Sequence, residues 1–140
     1  MSEMQKMKVV SKIGDTLNGL QWTIKDSKAN IIIMEGMEEH ASRYDAFAQY
    51  LNKEGFDVYA IDVYGQGENV NEDLSNRGLW PESAFRKQVQ AVDTLVDQLK
   101  QTGKPTYLFS HSMGTFQLFS TSTFTFLSNN VFVSVTNTFA

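Results

Sequence analysis

The chain has 140 residues, enough for one hydrophobic core and too few for two domains. Hydrophobic residues make up 41% and charged residues 20%, the balance of a soluble globular chain. The net charge of −4 gives no electrostatic ground for nucleic acid or an anionic membrane surface as a partner. The absence of cysteine excludes disulfides, zinc–thiolate sites and thiol nucleophiles. Residues Met1 to Lys8 carry no apolar secretory core, and no apolar run approaches the ~20 residues of a membrane helix. The expectation is a cytoplasmic chain with no integral membrane association.

Val9-Val10 and Gln21-Trp22-Thr23-Ile24 are the first strand candidates. Gly14 and Asn18-Gly19 break the chain between them, which suggests a leading antiparallel hairpin. Ile31-Ile32-Ile33-Met34 follows, a continuous apolar and largely β-branched run of the kind that parallel sheets covered on both faces contain. Tyr44, Phe47, Ala48 and Leu51 then form one helical stripe, with Ser42 as candidate N-cap and Gly55 just past the end. Phe56 to Val63 reads as a second inner strand, with Gly65 and Gly67 at its carboxyl end, where open α/β sheets place functional loops.

Residues 68–80 read as a polar loop. Pro81 and Ser83 open a longer helix, along which Phe85, Val89, Val92, Val96 and Leu99 recur at helical spacing until Gly103 and Pro105 stop it. Tyr107-Leu108-Phe109 is a third inner strand. Alternating strands and helices of these lengths imply an α/β fold with a mostly parallel sheet and flanking helices, a three-layer αβα arrangement.

Ser110-His111-Ser112-Met113-Gly114 follows that third strand at once. A nucleophile elbow places a serine between small residues on a sharp strand-to-helix turn, in the pattern G-x-S-x-G. Here serine stands at the first glycine position, while Ser112 and Gly114 match. The competing reading is that Ser112 simply caps a helix.

Taken with these motifs, Ile33-Met34-Glu35-Gly36-Met37-Glu38-Glu39-His40-Ala41-Ser42-Arg43-Tyr44 resembles the HGxxEHSxRY segment of monoacylglycerol lipase and lysophospholipase-like serine hydrolases, also grouped with serine aminopeptidases. Tyr64-Gly65-Gln66-Gly67 is similar to that family's D-x-x-GHG loop, and His111-Ser112-Met113-Gly114 to its GHSMG elbow. The resemblance spans roughly residues 8 to 115. It implies the N-terminal part of an α/β-hydrolase fold acting on a small ester or lipid substrate, with no cofactor. It also implies Ser112 as nucleophile, with an oxyanion hole formed by the backbone N–H groups of Met37 and Met113. Gly36, His40, His111 and Gly114 would support that site. The chain departs from the family at Glu35, Gln66 and Asn69, which replace histidine, histidine and serine. A carboxylate at position 35 would oppose a developing oxyanion unless it points away.

The remaining chemistry-bearing residues point nowhere else. His40 with Glu38 and Glu39 is too thin a cluster for a metal site. Gly65-Gln66-Gly67 lacks the third glycine of a dinucleotide loop. In this fold the triad runs serine, acid, histidine along the chain. After Ser112 there is no aspartate, glutamate or histidine, and the last carboxylate is Asp97. The alternative to an ester hydrolase is therefore a catalytically incomplete fragment or a non-enzymatic binding module. The expected division is a hydrolase-like portion over 1–115 and an uncharged, atypical tail over 116–140, aberrant in origin or folded as a β-hairpin from Thr121–Phe126 and Val131–Val135. Unless that tail covers it, the third inner strand would be a bare apolar edge inviting self-association.

Overall fold

The computed structural model describes residues 3–35, 40–62, 67–70, 73, 75, 84–111 and 131–136. The chain opens with β1 (Met4–Val10) and β2 (Thr16–Trp22), paired antiparallel as a hairpin. The turn lies between Ser11 and Asp15, where Ser11 N–H donates to the Asp15 carbonyl at 2.8 Å. Asn18-Gly19 does not break the chain as its composition suggests; both residues lie inside β2. The reason is steric. A Cβ at Gly19 would sit 2.1 Å from the Ala60 carbonyl oxygen and 2.8 Å from Ile61 Cα. The glycine is the condition for close approach of the neighbouring strand.

The inner strands are β3 (Ala29–Met34), β4 (Phe56–Ile61) and β5 (Thr106–His111), and β6 (Val131–Thr136) follows near the chain end. The sheet order is β1-β2-β4-β3-β5-β6. The β2/β4 pair is antiparallel, and the β4/β3, β3/β5 and β5/β6 pairs are parallel. All six residues of β3 are buried, as its unbroken apolar run requires. The edge of β5 is not bare: β6 pairs along its whole length, from Thr106↔Val131 to His111↔Thr136. The expected ground for self-association through that edge is thereby removed. The strand expected at Val131–Val135 forms, but its described partner is β5. The segment expected to complete a hairpin with it, Thr121–Phe126, lies outside the described residues.

The alternation within β3 divides the core. Ile32 and Met34 face α2 (Ala84–Lys100), joining Val92, Leu95, Val96, Leu99 and Leu108. Ile31 and Ile33 face α1 (Asp45–Lys53), joining Trp22, Ala48, Leu51 and Val58. A helix on each face of one sheet is the expected three-layer arrangement. Full burial of each such aliphatic side chain stabilises the fold by about 1.5–3 kcal/mol. Ser42 does not cap α1. A short 3-10 turn over Ala41–Tyr44 precedes that helix, and Tyr44 occupies its N-cap without making a side-chain capping bond. Pro81 and Ser83, expected to open α2, lie outside the described residues.

Candidate functional site

The chain order and the sheet order together create the site. From β3 the chain moves to β4 on one side, then crosses back to β5 on the other. Ligands of open α/β sheets bind at such a switch, outside the carboxyl ends of the strands. Three segments leave the sheet at this end. One leaves β3 at Glu35, one leaves β4 at Asp62, and one leaves β5 at His111. Met34 is paired with Ser110, so the segments after β3 and β5 start side by side. Gly36 and Met37 come next in the chain on one side. Ser112, Met113 and Gly114 come next on the other. These five residues lie outside the described residues, as do Val63 to Gln66. His111 is the last residue of β5.

The described residues define how two of the three segments are held. Asp62 is the hub. It is 1% exposed. One carboxylate oxygen accepts the Ala41 N–H at 2.6 Å, and the other accepts the Glu68 N–H at 2.8 Å. The first bond grips the chain returning from the segment after β3; the second grips the segment after β4. The Glu35 side chain also acts on the Asp62 carboxyl. Burial pushes the Asp62 carboxyl above its usual range, opposed by the N–H groups of Glu68 and Ala41 and by the Glu35 side chain.

Asn69 completes the anchor. Its side-chain oxygen accepts the Asn18 N–H at 2.8 Å. Its amide donates to the Asp62 carbonyl at 2.6 Å and to the Asn18 carbonyl at 3.1 Å. The segment after β4 is thus stitched to both β2 and the end of β4. From the opposite layer, Gln88 of α2 donates to the Ile61 carbonyl at 3.3 Å. Gly67 is dictated by the same hub. Its φ is +49°, and a Cβ there would lie 2.5 Å from the Asp62 carboxylate carbon and both its oxygens.

From sequence, Asp62 falls within the strand Phe56 to Val63 and Asn69 is a departure from the family. Both are structural keystones of the candidate site. The available signal was an aspartate ending an apolar strand with a glycine five residues on, a pattern that becomes meaningful only when the close approach is seen. Glu35, expected to threaten the oxyanion, is 1% exposed, and its side chain acts on the Asp62 carboxyl. His40 is exposed, has extended backbone, and bonds through Nδ1 to the Ser42 hydroxyl, while its carbonyl accepts the Arg43 N–H at 3.0 Å. It shapes the turn that carries Ala41. Among the described residues no group of three or more histidine, aspartate or glutamate side chains is arranged to hold a metal. No described helix is long and apolar enough to cross a membrane.

A switch-point sheet with a strand leading directly into Ser-His-Ser-Met-Gly defines an α/β-hydrolase scaffold. The sequence family described as "Serine aminopeptidase, S33" matches residues 25–124, and the chain belongs to that family. Phospholipase YtpA of Bacillus subtilis (strain 168) is 28% identical over 95 residues, covering 66% of this chain and 34% of the phospholipase. The chain therefore spans about a third of the length of that relative. Among solved structures, a thermostable carboxyl esterase from Bacillus coagulans is 24% identical with a TM-score of 0.61, over 84% of this chain and 39% of the esterase. A soluble variant of the monoglyceride lipase from Saccharomyces cerevisiae is 19% identical with a TM-score of 0.62, over 81% of this chain and 36% of the lipase. These two likenesses establish the fold.

Proposed function

We propose that this chain is the nucleophile-bearing portion of a cytoplasmic serine hydrolase that cleaves carboxylic esters of the monoacylglycerol or lysophospholipid type. One observation carries the reading: β5, which runs directly into Ser112, lies in parallel register beside β3, which runs into Glu35-Gly36-Met37. A nucleophile and a backbone oxyanion donor from adjacent strands are what attack on an ester requires. In this reading Ser112 forms the acyl-enzyme, and the N–H groups of Met37 and Met113 hold the tetrahedral O⁻. His40, Gly36, His111 and Gly114 shape the two segments. The phospholipase and lipase relatives support a lipid ester as substrate.

A second reading rests on its own observation. No aspartate, glutamate or histidine follows Ser112, so the family's acid and base must come from outside these 140 residues. Without a base the hydroxyl is a weak nucleophile, and the chain alone would then be a binding module or an incomplete hydrolase.

A fluorophosphonate probe separates the two. Labelling of the wild-type chain that disappears in Ser112→Ala supports an activated serine. Equal labelling of both proteins refutes the nucleophile assignment. No labelling of the chain alone, followed by labelling and p-nitrophenyl ester hydrolysis on adding the C-terminal half of a family member, supports the incomplete hydrolase.

A further inference from the structure

The β1–β2 hairpin outruns the strand beside it. Gly19 stands opposite Ile61, the last residue of β4, yet β2 begins at Thr16, and β1 continues to Val10 opposite it. Three residues at about 3.4 Å each carry the hairpin about 10 Å past Ile61, and the turn from Ser11 to Asp15 lies further out. The direction is that of the carboxyl ends of β3, β4 and β5. The turn therefore rises from the same end of the sheet as the candidate site.

Two ion pairs decide what this turn presents. Lys12 Nζ lies 2.6 Å from Asp97 Oδ2, and Lys87 Nζ lies 3.8 Å from Asp15 Oδ1. Asp97 and Lys87 both belong to α2, so the two charged side chains of the turn are each matched by an opposite charge on that helix. The apolar side chains are left outward. Val9 enters the core against α2, so Val10 takes the opposite face of β1 and is 58% exposed, and Ile13 is 46% exposed. The backbone beneath them is fixed: the Ser11 N–H donates to the Asp15 carbonyl at 2.8 Å and the Gly14 N–H to the Ser11 carbonyl at 2.9 Å, with Gly14 at a φ of +90°.

We propose that the β1–β2 turn is an interfacial anchor, which seats Val10 and Ile13 in the outer layer of a zwitterionic phospholipid surface and turns the carboxyl end of the sheet toward it. The choice of a lipid as occupant rests on the lipid-ester reading of the site. A scattered exposed aliphatic residue is ordinary. Here two flank a raised, hydrogen-bonded turn whose charges are paired off. Its reach of about 10 Å matches the ~5–10 Å to which interfacial segments sink into the headgroup and acyl boundary.

Charge selects the kind of surface. The chain carries a net −4, and the paired turn adds no local excess of cations to draw it to anionic lipid. Attachment is therefore driven by the apolar side chains and depends little on salt. Two aliphatic residues supply reversible attachment and not permanent insertion.

Co-sedimentation of the whole chain with phosphatidylcholine vesicles tests the anchor. The wild type should bind, and Val10→Thr and Ile13→Ser should each weaken partitioning about tenfold. Met4→Ser is the control, because Met4 is 44% exposed at the opposite end of the same strand, and it should bind like the wild type. In Ile13→Trp the emission should move to shorter wavelength when vesicles are added, a readout that requires no loss of binding. A wild type that stays in the supernatant overturns the proposal. So do equal binding by Ile13→Ser, an equal loss in Met4→Ser, or a steep fall in binding with salt. A dimer that Ile13→Ser dissociates, in a chain that ignores vesicles, overturns it in favour of a second copy as the occupant. Ser112→Ala should bind vesicles like the wild type, so the anchor and the nucleophile assignment stand or fall separately.

Discussion

Replacing Gly19 by alanine should cost far more than the loss of one glycine from a strand suggests. The new Cβ would meet the Ala60 carbonyl oxygen at 2.1 Å and Ile61 Cα at 2.8 Å, and these are backbone atoms with no rotamer to change. Relief requires β2 and β4 to part by at least about 1.3 Å to reach ordinary contact distance. The two strands share four paired positions, Gly19↔Ile61 to Trp22↔Val58. Stretching the ladder beside Gly19 forfeits about two hydrogen bonds at about 0.5–1.5 kcal/mol each. Loosened packing of Leu20 and Ile61, both 2% exposed, adds to this. The sum is about 3 kcal/mol, a large share of the ~5–15 kcal/mol of a typical domain. Urea unfolding followed by far-UV circular dichroism measures it. Gly67→Ala is the internal contrast. Its clash is with the Asp62 side chain, and its φ of +49° adds about 1–2 kcal/mol for a residue with a Cβ. Its damage should concentrate at the Glu68 amide. A Gly19→Ala loss below about 1 kcal/mol would falsify the close-approach argument.

Asn69→Ala should destabilise by about 1–3 kcal/mol, because it strips the buried-side partners of Asn18 N–H and the Asp62 carbonyl together, and denaturant unfolding measures the change. Asn69→Ser, the residue of the family at that position, should recover part of the loss, since a hydroxyl replaces one bond and not three. Tyr59 gives an alkaline signature. Burial first, and then the nearby Asp57 charge, push its phenol up from 10.0 to about 12. The folded state therefore holds this proton where the unfolded chain releases it, and the stabilisation present below pH 10 is lost as pH rises toward 12. Tyr59→Phe should abolish that part of the alkaline slope, and an unchanged slope in the variant would remove Tyr59 as its source.

The inner sheet was legible because its information is local. Ile31 to Met34 has no polar residue to place on a solvent face, so two-sided burial follows, and helices at the right spacing supply the covering layers. The proposed nucleophile segment is a contiguous run that sequence alone can mark, and Ser112 to Gly114 lie outside the described residues. What escaped was set by contacts far apart in the chain. Gly19 reads as a turn residue by composition, yet its reason lies 41 and 42 residues away at Ala60 and Ile61. Asp62 reads as a strand end until Ala41 and Glu68 converge on it from opposite directions. The pairing of β6 with β5 was likewise invisible, because a strand run carries no mark of the neighbour it will find.

The departures at positions 35 and 69 belong to one network, and this alters how they bear on activity. Taken singly, a glutamate in place of histidine and an asparagine in place of serine each look like damage to a loop. In the fold both converge on Asp62, Glu35 through its carboxyl and Asn69 through the Asp62 main chain. Asn69 makes three hydrogen bonds to Asn18 and Asp62, and the Glu35 side chain acts on the Asp62 carboxyl. The anchoring of Ala41 and Glu68 to Asp62 is therefore retained with both departures in place. Under the proposed function, what these 140 residues lack is an acid or base after Ser112. A serine held in place without a base still leaves binding and oxyanion stabilisation, which in serine proteases sustain about 10³–10⁴-fold over water. If the proposed function holds, restoring activity is a matter of supplying the two missing partners and not of repairing positions 35 and 69. Reverting Glu35 to histidine in the chain alone should accordingly leave fluorophosphonate labelling unchanged, and a gain in labelling on that reversion would return the fault to the oxyanion segment.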